Sequence, residues 1–103
     1  MKTYSPFKLE TYQVIGRKLH INFNEQFVEG DEGVDDQYVY DTAVIPDKLA
    51  KRDTIIEAII ATKYPTYGSE LAAIRNGGTK AEEHEALRIK AKELADGWLE
   101  QVR

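Results

Sequence analysis

The chain has 103 residues, a net charge of −4 and a pI near 5.2. That length predicts a single domain, residues 1–103, able to bury roughly two-thirds of its unfolded surface without staples. It contains no cysteine, which excludes disulfides, thiolate nucleophiles, cysteine-ligated zinc and iron–sulfur clusters, while the acidic balance lacks the footprint of a general nucleic-acid binder.

The N-terminal stretch from Met1 to Lys8 holds no apolar core of a secretory signal, and the absence of cysteine fits a reducing compartment. The expected localisation is cytoplasmic, with a place in a virion as the variant. Tyr12 and Val14 then share one parity, and Leu19, Ile21 and Phe23 share the other. A strand with one buried face changes parity only at an extra residue or a turn. Gly16 sits at the switch and tolerates the positive φ that either requires. Thr11–Ile15 and Arg17–Phe23 therefore read as two strands or as one bulged strand, with Lys18, His20 and Asn22 toward solvent. Residues Asn24–Asp36, rich in glycine and acid, read as a long mobile loop. Gln37–Ile45 reads as the next strand, because Tyr38, Val39 and Tyr40 are strong β formers.

The chain changes character near Pro46. Pro46-Asp47 has the form of a helix start, and Thr54 with Glu57 has capping-box spacing. Either one helix spans Asp47–Lys63, or a short turn precedes a helix from Asp53 or Thr54. Ile56, Ile59 and Ile60 form its apolar stripe, widened by Ile55, and Tyr64-Pro65 ends it. Ser69 reads as the cap of a short helix, Glu70–Arg75, stopped by Asn76-Gly77-Gly78. Thr79 and Glu82 read as the capping box of a last helix running nearly to Arg103. Its seam, Leu87, Ala91, Leu94 and Trp98, is about 16 Å long at the helical rise. Strands first and helices second predict an α+β fold: a small antiparallel sheet packed against two longer helices and one short one.

Few residues carry recognisable chemistry. The acids Glu29, Asp31, Glu32, Asp35 and Asp36 crowd around Gly30 and Gly33, but their spacing is not that of an EF-hand, and a solvated loop without metal is expected. His84-Glu85 begins a zinc-protease motif that fails at Arg88, where a second histidine is required, so His84 reads as an exposed helix residue and His20 as an exposed strand residue. Asn76-Gly77-Gly78-Thr79-Lys80 does not have the order of a phosphate loop. Ser5 and Ser69 are the chain's two serines, and neither sits in a nucleophile motif. The basic groups Lys48, Lys51, Arg52 and Arg88, Lys90, Lys92 are interleaved with carboxylates and read as solvated helix faces. No run approaches the ~20 apolar residues of a membrane span. No catalytic residue, metal ligand or cofactor is therefore predicted. Tyr64 and Tyr67, beside Pro65, read either as core anchors of the helix-to-helix turn, the role that such residues more often have, or as a surface aromatic patch, and Arg75 follows on the next helix. Exposed aromatics and arginine anchor protein interfaces, so Tyr64, Tyr67 and Arg75 are the candidate partner-binding residues.

From Arg52 to about Ala95 the chain reads Arg-Asp-Thr-Ile-Ile-Glu-Ala-Ile-Ile-Ala-Thr-Lys-Tyr, then Tyr-Gly-Ser-Glu-Leu-Ala-Ala-Ile-Arg-Asn, then a glutamate-rich amphipathic helix. This stretch resembles the C-terminal part of small phage- and prophage-encoded proteins of Bacteroidetes-type bacteria, and is loosely similar to the C-terminal region of tail-fibre assembly proteins. The resemblance rests on packing and capping residues, among them Arg52, Asp53, Ile56, Tyr64, Glu70 and Leu71. It implies a mobile-element protein that works through protein contacts. The expected function is a non-enzymatic interaction module, virion-associated or aiding tail assembly, binding a protein partner and neither nucleic acid nor membrane, as a monomer or weak homo-oligomer. The alternative is a small bacterial regulatory or adaptor protein; for a third class, a small enzyme, the sign would be a deep pocket holding Glu57, Glu70 or His84.

Overall fold

The computed structural model describes residues 1–33 and 35–102. The fold is α+β, with a four-stranded antiparallel sheet in the N-terminal half and three helices packing together in the C-terminal half. The chain divides into two compact units, one ending at Lys48 and the other beginning at Leu49, joined through a 3-10 turn over Asp47–Leu49.

The sheet contains β1 (Lys2–Ser5), β2 (Tyr12–Ile15), β3 (Lys18–Val28) and β4 (Gln37–Pro46), in the order β1-β4-β3-β2. The parity switch at Gly16 is a two-residue hairpin: Ile15 pairs with Lys18, and Gly16 takes φ +65°. The register places Tyr12, Val14, Leu19, Ile21, Phe23, Ala43 and Ile45 on one face. Leu19 and Ile21 on that face are fully buried. Strand β3 runs further than its pattern predicts. Asn24, at φ 53°, opens a bulge after which pairing resumes from Gln26 with Val39 to Val28 with Gln37. Asn24–Val28 is thus strand rather than loop. Asparagine tolerates the left-handed region that the bulge needs. The connecting loop is confined to residues 29–36, where the Gly30 amide donates to Asp36 Oδ1 at 2.7 Å; its Val34 lies outside the described residues. Pro46 closes β4 instead of opening a helix, a strand-end position that proline tolerates.

On the opposite face of the sheet, Ser5, Asn22, Tyr40 and Thr42 form a polar patch that is buried. Strands β1 and β2 lie at opposite edges, so residues 6–11 must cross from one to the other. Three strand spacings amount to ~14 Å, and six extended residues reach ~20 Å. The crossing strap is held by side chains beneath it. The Leu9 amide donates to Tyr40 Oη at 2.8 Å, and Asn22 Nδ2 donates to the Glu10 carbonyl at 2.9 Å. One residue from each strand forms a ladder below: Thr3 with Thr42 at 2.6 Å, Thr42 Oγ1 to Asn22 Oδ1 at 2.9 Å, and Asn22 Nδ2 to Gln13 Oε1 at 2.8 Å. Asn22, expected to face solvent, is therefore buried, because a strap over a sheet face carries backbone groups that must find partners. His20 on the same face is half-buried.

Tyr40 ties the strap to the bulge, since its hydroxyl also donates to Glu25 Oε1 at 2.7 Å. Burial first, then the Glu25 hydrogen bond and charge, push the Tyr40 hydroxyl above the ordinary tyrosine range, with the Leu9 amide pulling the other way. A group raised on folding gives stability that is full below its unfolded value, ~10, and is lost as pH climbs through the folded one. We expect wild type to lose stability on an alkaline titration, and Tyr40→Phe to flatten that limb while costing about 1 kcal/mol at neutral pH. Denaturant midpoints measured across the alkaline range check both.

The helical unit contains α1 (Arg52–Ala61), α2 (Tyr67–Asn76) and α3 (Gly78–Gln101). Helix α3 packs against both others, and Arg52 reaches Asp96 at 2.9 Å from α1. The caps differ from those the spacing predicts. Thr54 lies inside α1, where its hydroxyl accepts the Lys51 amide at 2.9 Å and donates to the Leu49 carbonyl, and Glu57 takes no part. Helix α2 starts earlier than Glu70. Thr66 is its cap, and Ser69 is the partner three residues on, each hydroxyl accepting the other's backbone N–H at 3.1 and 3.2 Å. Thr79 and Glu82 do not cap α3, because Gly77 and Gly78, at φ +62° and +56°, turn the chain so sharply that the helix is already under way. The buried stripe of α1 is Ile55 and Ile59, with Ile56 and Ile60 half-buried beside it. On α3, Ala91, Leu94 and Ala95 are buried, and Leu87 and Trp98 are half-buried. Among the described residues no helix is long and apolar enough to cross a membrane.

Candidate functional site

The α1–α2 turn and the first turn of α2 meet α3 at His84, in its second turn. Expected to be exposed, His84 is buried, with 8% of its side chain accessible. Its Nε2 lies 2.8 Å from Glu70 Oε1. With a carboxylate as acceptor, Nε2 carries the hydrogen. The Tyr64 ring packs on the imidazole, centroid to centroid 5.3 Å. Lys63 reaches across to Glu83 at 3.0 Å, with its ammonium 5.8 Å from the Tyr64 ring centroid. Buried polar groups need partners, and Glu70 supplies the one for His84.

Two open clefts flank Tyr64. One, about 350 Å³, lies between α2 and α3, walled by Ala72 and Ala73 and rimmed by Lys63, Asn76, Lys80 and Glu83. The other, about 320 Å³, lies between the end of α1 and the start of α2. Its walls are Ile60, Tyr64, Pro65 and Tyr67, and it carries the carboxylates of Glu57 and Glu70.

The three residues singled out in the sequence fare differently. Tyr64 is half-buried, as an anchor of the turn and a wall of both clefts. Tyr67, the first residue of α2, is 77% exposed. The reciprocal Thr66–Ser69 bonds fix the backbone from which its ring projects. Arg75 is exposed in the last turn of α2, eight positions or about 12 Å of helix from Tyr67, and lines neither cleft. The fold thus brings Tyr64 and Tyr67 to one cleft and leaves Arg75 apart.

Glu57, Glu70 and His84 are not among the predicted partner-binding residues, although a deep pocket holding any of them is the expected sign of an enzyme; the structure places Glu57 and Glu70 on one open cleft, with His84 bonded to Glu70 behind it. A signal for His84 exists: the α3 seam of Leu87, Ala91, Leu94 and Trp98 alternates steps of four and three, and one further step of three toward the N-terminus lands on His84. Glu70 has no comparable mark, since its partner lies on another helix. Among the described residues, no three histidine, aspartate or glutamate side chains gather as a metal site. Both serine hydroxyls are engaged locally, Ser5 with Phe7 and Ser69 with Thr66. No family model, no curated protein and no solved structure matches this chain.

Proposed function

We propose that the protein is a non-enzymatic interaction module that grips a protein partner through the α1–α2 turn. The observation that carries this reading is Tyr67, a large aromatic held 77% exposed on a backbone fixed by a reciprocal cap, beside an apolar-walled cleft. A tyrosine presented on a rigid element loses little entropy on binding and buries a large area. The engagement of both serines in local turns also supports binding over nucleophilic chemistry. The resemblance of residues 52–95 to phage and prophage proteins supports a mobile-element setting, with the partner a virion or tail-assembly component.

The test is quantitative recovery of protein partners from the native cells or from infected cells. Tyr67→Ala is expected to weaken partner binding about tenfold or more with an unchanged circular dichroism spectrum. Equal recovery by the folded variant would remove this surface as the interface.

A further inference from the structure

We infer that the cleft between α1 and α2 takes an arginine side chain presented by a protein partner. This rests on the interaction reading above and adds the chemistry of what is bound. The cleft, about 320 Å³, is at the lower end of the ~300–1,000 Å³ of ligand sites, a size suited to one long side chain. Ile60, Tyr64, Pro65 and Tyr67 would cover an apolar stem. The polar groups at its end are both acids. Glu57 makes no ion pair or hydrogen bond with any described residue, so its charge is uncompensated. Glu70 is oriented through its Oε1 by His84 Nε2 at 2.8 Å, and Oε2 is left to accept a further donor. No lysine or arginine among the described residues lines the cleft. The nearest in sequence, Lys63, lines the neighbouring cleft and is held by Glu83 at 3.0 Å.

Two carboxylates and two tyrosine rings about an apolar channel are complementary to a cation on an apolar stem. Arginine fits better than lysine. Its planar guanidinium presents several N–H donors at once, enough to reach both Glu57 and Glu70, and it stacks on an aromatic ring more readily than a hydrated ammonium does. His84 acts here as a positioning residue: buried and fixed, it holds Glu70 in place before the partner arrives.

The experiment is a titration of the full chain with N-acetyl-arginine methylamide, followed by NMR at Ile60, Tyr64 and Tyr67, with the citrulline analogue and guanidinium chloride in parallel. Expected are saturable shifts with the arginine amide, at least tenfold weaker binding for the neutral citrulline analogue, weaker binding for bare guanidinium, and about tenfold loss in Glu57→Gln. Glu57 is exposed, so that variant keeps the fold. Equal shifts from citrulline, or no loss in Glu57→Gln, would overturn the inference. Equal affinity for guanidinium would overturn the assignment to a partner's side chain. Should the arginine amide fail to bind while Tyr67→Ala still loses its partner, the inference falls and the interaction reading stands. Should Tyr67→Ala keep its partner, the reading beneath it falls as well.

Discussion

Ile59→Ala is expected to destabilise the helical unit by about 2–5 kcal/mol, because it deletes a fully buried branched side chain and leaves a cavity. Ile55→Ala, equally buried, is expected to cost the same. Ile60→Ala should cost distinctly less, since its side chain is half-buried and its loss leaves a dent open to water. Urea midpoints for the three variants measure the order directly. The contrast matters more than any single value. The two stripes, Ile55 with Ile59 and Ile56 with Ile60, are both spaced by four, and their burial separates them. Equal losses at Ile59 and Ile60 would mean that α1 is rotated from the orientation described.

The second large effect is expected in the sheet. Asn22→Leu should cost about 2–4 kcal/mol, although leucine is the more hydrophobic residue. The substitution removes the donors to Glu10 and Gln13 and the acceptor for Thr42, beneath a strap that keeps water out. Groups left buried without partners lose more than a new apolar contact returns. Thr3→Val, at the ladder's end, should cost only about 1 kcal/mol, because Thr42 keeps its bond to Asn22. Amide exchange supplies the second readout: the Leu9 N–H, bonded to Tyr40, should lose protection in Asn22→Leu. An Asn22→Leu protein as stable as wild type would refute the strap and its ladder.

Much of the fold is legible in the sequence, and the failures have physical causes. The parity switch at Gly16 locates the β2–β3 hairpin, and the Tyr38–Tyr40 run locates β4. Strand β1 leaves no pattern, because Lys2-Thr3-Tyr4-Ser5 is short and is paired only along β4. Asn22 misleads because alternation assigns polar residues to water, whereas here the polar face is roofed by the chain itself. The continuation of β3 beyond Phe23 is hidden by the bulge at Asn24, which interrupts the period of two. Capping residues are misplaced by three positions at Ser69 and by two at Thr79, where Thr66 and Gly77 take the boundary. At the candidate site, Tyr67 is legible as an aromatic two residues after Pro65. The Glu70–His84 pair is not, because it joins two helices fourteen residues apart in sequence and neither residue belongs to a motif.

The role of the α1–α2 turn is tested most directly by photo-crosslinking in the native cells, with benzoylphenylalanine replacing Tyr67 in one protein and Ile89 in another. Both positions are exposed, Tyr67 at the start of α2 and Ile89 on α3. An interface at the turn predicts a discrete protein adduct from position 67 that is absent from position 89. No adduct from position 67, or the same adducts from both positions, would contradict it.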